Sequence, residues 1–288
     1  MKNPVLVTGA TSPVGKYLVK FLVGRGTRVK AMVYDMRKAE GLEDAGVEIF
    51  VGDLRDEEDV RLAMKEVDKV YLITPLVKDM ADITRTVVKI AESEGVRKIV
   101  RQSLIDCGVD LLYEFWKKHR ECDEIVRRSM MDHTFVRLNQ LMQGFLKFNG
   151  RGIKEEGVIA KPCGEGRTSF VDAYDVAEAA SLIIDGNWHE GKTYTFTGPE
   201  ALSNKEVAER MSHVLGKPVR YEDIDEAKAR TFLIDEGYGS WFADGFMEMY
   251  EVERRGLAST VTNDIERLIG RRPRRIESFI KENVEILR

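Results

Sequence analysis

The chain has 288 residues, 43% of them hydrophobic and 33% charged, enough to bury a substantial core in one large domain or a domain with a satellite lobe. Its 45 basic and 49 acidic residues are interspersed and leave a net charge of -4, so neither a nucleic-acid groove nor a membrane-surface patch is expected. No apolar run is long enough to span a bilayer, Met1 leads almost directly into a strand pattern with no room for a signal peptide, and Cys107, Cys122 and Cys163 lack paired metal spacing; a cytoplasmic protein with free thiols and no metal is expected.

Val5-Leu6-Val7 reads as a buried strand, Gly9 to Gly15 as a turn, and Tyr17 to Val23 repeats apolar residues at helical spacing. Arg28 to Tyr34 predicts a second strand, Lys38 to Ala45 a short helix and Val47 to Phe50 a third strand. Glu57 to Lys65 is helical, Val70 to Ile73 a fourth strand, Met80 to Ser93 a long amphipathic helix and Lys98 to Val100 a fifth strand. Leu111 to Ser129 predicts another helix and Thr134 to Val136 a sixth strand. Strands alternating with helices imply right-handed crossovers and a parallel sheet covered on both faces, a doubly wound α/β domain of Rossmann type over 1–155.

Beyond Asn139, Gly150, Gly152, Gly157, Gly164 and Gly166 mark an irregular segment. Val176 to Ile184 is again helical and Tyr194 to Phe196 a strand, so 170–200 returns to the first domain. Helices are expected at Lys205 to Leu215, Asp225 to Glu236, Trp241 to Glu253 and Ile276 to Val284, which makes 201–288 a smaller, mostly helical substrate lobe. Open α/β sheets bind ligands at the carboxyl ends of their strands.

The stretch VTGATSPVGK, Val7 to Lys16, lies where the first strand turns into the first helix. A dinucleotide diphosphate needs close backbone approach there, with amides and a helix N-terminus facing its charge. Gly9 and Gly15 supply the tight turn and the close packing; Ser12 stands where the middle of three glycines is usual, and Thr11, Pro13 and Val14 complete the loop. In Val51-Gly52-Asp53-Leu54, a carboxylate closing the third strand can accept from an adenine amino group, its plain alternative being a cap for the helix at Glu57. Thr74 and Pro75 end the fourth strand on the expected cofactor path.

With TGATSPVG and VGDL, the strand KIVRQSL, then TFVRLNQLMQGF, SFVDAYDVAEAA and KTYTFTGPEALSNKEVAERMSHVLGKPVRYEDI, the chain resembles the NmrA-like branch of the atypical short-chain dehydrogenase/reductases over nearly its whole length. The resemblance implies an NAD(P)H cofactor. It implies either a reductase of quinones, azo dyes or triphenylmethane dyes, or a redox-sensing regulator that binds nucleotide without turnover. The segment that commonly carries an arginine for the ribose 2′-phosphate has Tyr34 in that place, Asp35 follows, and Arg37 and Lys38 remain within reach of a phosphate. The rules conflict, and NAD versus NADP stays open.

Tyr113 and Lys117 match the spacing of the proton-donor tyrosine and lysine of typical members, but the apolar stripe Leu112, Phe115, Trp116, Cys122, Ile125 and Val126 turns Lys117 away from its centre and places His119 near it. We read the Tyr-x-x-x-Lys match as accidental. The family pattern then sets Phe115 at the tyrosine position, His119 at the histidine-or-lysine position, and Ser103 at the hydroxyl position. His119 and Ser103 are the catalytic candidates and cofactor contacts that follow, with Asn139 just past the sixth strand as a further cofactor contact. Trp241, Phe242 and Phe246 are expected to form one apolar wall of a flat substrate pocket, and Asn139, Met142 and Phe145 the other. The expected function is hydride transfer to a flat conjugated small molecule without metal or flavin, in a monomer or homodimer. The alternative is the nucleotide-sensing regulator.

Overall fold

A computed structural model of the chain describes residues 3–42, 47–106, 108 and 112–288. Cys107 and the ends of two expected helices, 43–45 and 111, lie outside the described residues. In chain order run β1 (Val5–Val7), α1 (Pro13–Gly24), β2 (Val29–Val33), β3 (Val47–Val51), α2 (Glu57–Met64), β4 (Lys69–Leu72), α3 (Met80–Ser93), β5 (Lys98–Leu104), α4 (Glu114–Arg127) and β6 (Asp132–Leu138). There follow α5 (Gln143–Glu155), β7 (Val158–Lys161), β8 (Arg167–Thr168), α6 (Ala173–Asp185), β9 (Thr193–Phe196), β10 (Leu202–Ser203), α7 (Asn204–Leu215), β11 (Arg220–Asp223), α8 (Glu226–Asp235), α9 (Ser240–Arg254), α10 (Asp264–Ile269) and α11 (Ile276–Glu282).

The main sheet is parallel and ordered β3-β2-β1-β4-β5-β6-β9, the doubly wound arrangement expected from the strand–helix alternation. Register fixes what its edge presents. Val7 lies opposite Ala31 and Tyr71, Val33 opposite Val51, and Leu72 opposite Arg101, so the loops after β1, β2, β3 and β4 leave the sheet at one level.

The chain divides into two compact units. The first is 1–104, 117–137 and 176–194; the second is 105–116, 138–175 and 195–288. In the first, Leu6, Val70, Leu72 and Ile99 from the strands pack with Val60, Ile83, Val87, Val126 and Phe135, all buried. Three-residue β1 is wholly apolar because both its faces are covered. α2 starts where Asp56 accepts from the amides of Glu58 and Asp59, with Glu57, Glu58 and Asp59 all placed in its first turn, the favourable end for negative charge.

The second unit is larger than a C-terminal lobe over 201–288, because 138–175 joins it: Met142, Phe145, Ile153, Ile159 and Phe170 share a core with Val207, Met211, Phe279 and Ile280. A helix, α5, fills the start of the segment expected to be irregular. Its apolar residues Phe145 and Ile153 bury one side, and Gly152 serves close approach, a Cβ there lying 3.1 Å from the Val158 carbonyl oxygen. Two small pairings escaped the periodicity, β7 with β11 in parallel and β8 with β10 in antiparallel. α7 has a full capping box, Ser203 with Glu206, and ends on Gly216 in the left-handed region.

Candidate functional site

Gly9 opens the loop after β1 with φ +58°, and a Cβ there would sit 3.0 Å from Cβ of Ile73. Thr8 fastens the same point, donating from Oγ1 to the Ile73 carbonyl at 3.0 Å and accepting from the Ile73 amide at 2.8 Å. Gly15 is tighter still: a Cβ would lie 2.3 Å from the Gly9 carbonyl oxygen. Ser12 has ordinary extended backbone, φ -70° and ψ 161°, so its position makes no demand for glycine. Its Oγ accepts from the Gly15 amide at 3.1 Å and caps α1, with Pro13 as the first helical residue.

Ser12 therefore replaces the usual glycine by doing a capping job. Among the described residues, the amides of Thr11 and Val14 donate to no group of the chain. Two outward amides at the positive end of a twelve-residue helix, over two glycines that a Cβ would block, fit a dinucleotide diphosphate.

Tyr34, just past β2, is 76% exposed. Asp35 accepts from the Arg37 amide at 3.0 Å and pairs with its guanidinium at 2.8 Å, which holds the Asp35 carboxyl below the usual carboxylate range. Arg37 and Lys38 are exposed. Past β3, Asp53 Oδ1 accepts from the Arg55 amide at 2.9 Å, and its Oδ2 accepts no hydrogen bond from the described residues. Asp56, not Asp53, caps α2, which removes the plain alternative for Asp53. Leu54 packs at the margin of the first core. Past β4, the Thr84 hydroxyl donates to the Met80 carbonyl, so Thr74, 3.2 Å from it, is the donor of that pair; the Pro75 carbonyl accepts from the Val77 amide. All of these residues stand at the carboxyl ends of β1 to β4.

Ser103 and His119 meet at a buried ion pair that the sequence did not flag. Arg101 of β5 is fully buried and bonded through one terminal nitrogen to Asp123 of α4. Ser103 Oγ donates to Asp123 Oδ2 at 3.1 Å, Arg137 reaches the same oxygen at 3.4 Å, and the other terminal nitrogen of Arg101 lies 3.4 Å from His119 Nδ1. Burial, followed by the nearby Arg101 charge, pushes His119 well below the usual imidazole range. A warning was available: an arginine inside the apolar strand KIVRQSL needs a buried partner.

In the second unit, Tyr113 stands one residue before α4 and its hydroxyl accepts from Arg255 at 3.2 Å, while Lys117 is exposed. Phe115 is buried. Its ring centroid is 4.9 Å from Trp241 and 6.4 Å from both Phe242 and Phe246. A Cβ on Gly245 would fall 1.7 Å from the Phe115 ring, so α9 carries glycine where that ring packs. Tyr238, just before α9, stacks on Phe242 at 4.7 Å, and along α9 Phe242 stacks on Phe246 at 4.5 Å, with Phe148 of α5 4.8 Å from Phe246. Glu248 of the same helix accepts from the amides of Glu114 and Phe115, at 2.9 and 3.0 Å, and so caps α4.

Trp241, Phe242 and Phe246 thus come together, with Phe148 and Tyr238 as members that periodicity had not picked out. The residues of the expected opposite wall are buried or hydrogen-bonded within the second unit. Met142 is 1% and Phe145 3% exposed, both inside the α5–α7–α11 core. Asn139 spends both amide protons on Ser169 Oγ and the Ala258 carbonyl, and its oxygen accepts from the Gln140 amide. These three contribute to the packing of the second unit.

Residues 1–280 match the NmrA-like family. The NAD(P)H azoreductase of Xenophilus azovorans is 32% identical over 277 residues, covering 96% of each chain. The (4-alkanoyl-5-oxo-2,5-dihydrofuran-3-yl)methyl phosphate reductase of Streptomyces griseus is 31% identical over 283 residues, covering 98% of each. Among solved structures, the triphenylmethane reductase of Citrobacter sp. superposes with a TM-score of 0.85 at 25% identity, over 98% of this chain and 99% of that one. Among the described residues, no helix is long and apolar enough to cross a membrane.

Proposed function

The chain belongs to the NmrA-like family, and from that premise we propose that it is an NAD(P)H-dependent reductase which passes hydride to a flat conjugated acceptor of quinone or dye type. The observation that carries this is the loop Gly9 to Gly15, whose two glycines and free Thr11 and Val14 amides suit a diphosphate at the head of α1. The reduced nicotinamide supplies the hydride. We assign the diphosphate to the amides of Thr11 and Val14, beside the Ser12 hydroxyl. The adenine side goes to Asp53 with Leu54, the ribose side to Tyr34, Arg37 and Lys38, and the path past β4 to Thr74 and Pro75.

Within the second unit, Trp241, Phe242 and Phe246 offer part-exposed ring faces of the kind on which a planar molecule stacks. No tyrosine stands ready as proton donor in this reading: Phe115 occupies the matching place, and Tyr113 lies outside the helix that carries Lys117. A good two-electron acceptor needs positioning more than acid catalysis, so the absence is compatible with turnover.

The test is NADH and NADPH oxidation against an azo dye, a cationic triarylmethane dye and a naphthoquinone, alongside nucleotide titration. We expect turnover with at least one acceptor and no detectable nucleotide binding in Gly15→Val. Nucleotide binding without turnover on any of them would overturn the reductase reading, and an undiminished affinity in Gly15→Val would overturn the placement of the loop.

A further inference from the structure

The reductase reading leaves unexplained why a full positive charge is buried behind the two candidate catalytic side chains. Arg101 is completely enclosed, and its Nε has no hydrogen-bond acceptor among the described residues. A guanidinium with an unmet donor is a poor device for stability alone. Its two terminal nitrogens are used differently: one is bonded to Asp123, and the other points to His119 Nδ1 at 3.4 Å. A guanidinium carries only donors and stays charged in proteins. The Nδ1 facing it must therefore present its lone pair, and a neutral imidazole then keeps its single proton on Nε2.

We propose that Arg101, held by Asp123, is a positioning residue that fixes His119 as the neutral Nε2–H tautomer, so that His119 serves the reduction as a hydrogen-bond donor and not as an imidazolium acid. The proposal rests on the reductase reading. The ionisable groups around His119 favour the same state. Arg101 faces it from β5; Asp123 and Cys122 lie on its own helix, Asp123 already neutralised by Arg101 and by Arg137 of β6. Burial and the Arg101 charge both disfavour a second proton on the ring. Asp123 also takes the hydroxyl proton of Ser103 at 3.1 Å, which leaves Ser103 as an acceptor toward any ligand and removes it as a proton donor.

The chemistry balances without a proton from the protein. With a quinone, the hydride brings two electrons and one proton, NAD(P)H becomes NAD(P)+, and the quinone becomes a hydroquinone monoanion. The His119 Nε2–H bond holds the new oxyanion and is not broken; water donates the proton that completes the hydroquinone. With a cationic triarylmethane dye, the hydride adds to the central cationic carbon and gives a neutral product, so no oxyanion forms and no proton is required. The donor at His119 matters for the first acceptor and not for the second.

Nitrogen NMR of the histidine-labelled, nucleotide-free protein reads the ring directly, with His119→Gln identifying its signals. We expect one protonated nitrogen, Nε2, and one bare nitrogen, Nδ1, unchanged between about pH 6 and pH 8. In Arg101→Gln, or in the double variant Arg101→Met with Asp123→Leu where the first does not fold, the same ring should begin to titrate in that range. In turnover, His119→Phe should lower kcat/KM about a hundredfold more for a naphthoquinone than for the cationic dye, the difference typical of one donor to a developing oxyanion. An imidazolium at neutral pH, a proton on Nδ1, or equal losses with both acceptors would overturn the assignment. Absence of turnover with every acceptor would remove the reductase reading and the role built on it, whereas a wrong tautomer with intact turnover would remove this assignment alone.

Discussion

The Lys161–Glu253 pair of the second unit and the Arg101–Asp123 pair of the first are both buried, but they are finished differently. The Lys161 ammonium reaches Glu253 at 3.0 Å and Asn204 at 3.2 Å, and lies over the rings of Phe145, Phe170 and Tyr250. Glu253 also accepts from Gln140 at 3.0 Å and Asn204 at 2.7 Å. Burial by itself would depress the Lys161 ammonium, but Glu253 more than offsets this and keeps it charged above its ordinary range. Burial pushes the neighbouring Tyr250 phenol up to about 12. This pair ties β7, α7, α9 and the Gln140 segment together and touches none of the candidate catalytic residues. The Arg101–Asp123 pair leaves one nitrogen unmet and turns its remaining bonds toward Ser103 and His119. A saturated buried pair organises a fold; one with bonds directed at Ser103 and His119 orients those two side chains as well.

Removing one member of the saturated pair is the strongest way to break this contrast. Glu253→Ala strands the Lys161 charge and should lower unfolding free energy by about 3–5 kcal/mol in urea, while the folded protein keeps its nucleotide affinity. A loss of nucleotide binding there would mean that the second pair also serves the site. Gly245→Ala drives a methyl into the Phe115 ring and should lower stability by about 1–3 kcal/mol, with most of it recovered in the double variant with Phe115→Leu. Failure to recover would place the strain elsewhere on α9.

In the first unit, Ser12→Ala should lower stability by about 1 kcal/mol through loss of the α1 cap, and Ser12→Gly by only a few tenths, with nucleotide affinity preserved in the glycine variant. The last effect is a matter of pH. His119 is depressed in the folded chain, so the unfolded chain binds the proton more readily. Stability is then full above the unfolded value near 6.5 and falls as pH drops from there toward the folded one. Denaturant midpoints at neutral and mildly acidic pH should converge less in wild type than in His119→Gln; a parallel shift in both would show that His119 does not carry the dependence.

The periodic parts of the chain were legible. Val5-Leu6-Val7, Val29 to Val33 and Val70 to Leu72 are buried on both faces and read as apolar runs, the second interrupted only by Lys30, and the strand–helix alternation yields the observed parallel sheet. α5 was hidden by Gly144, Gly150 and Gly152, which usually argue against a helix; of these Gly152 permits close packing, on the Val158 carbonyl. The core packing of Met142 and Phe145 was not legible, because helical spacing shows that a face is apolar without saying what it meets. Arg101 could be seen to need a partner, but the acid that answers it lies 22 residues on in another element, one acid among many. The capping role of Ser12 could be inferred only in part, since a serine after a glycine turn suits a phosphate as well as a helix.

The second unit is assembled from 105–116, 138–175 and 195–288, so the chain passes between units five times. During synthesis the first unit is complete in sequence once Tyr194 has emerged, whereas the second needs the final stretch to cover Met142, Phe145 and Ile159 with Val207 and Phe279. Neither unit can be excised as one uninterrupted fragment. Grafting the aromatic ladder onto a relative would therefore mean transplanting three stretches together, and a chain interrupted before α11 would carry an intact nucleotide loop beside a half-built companion.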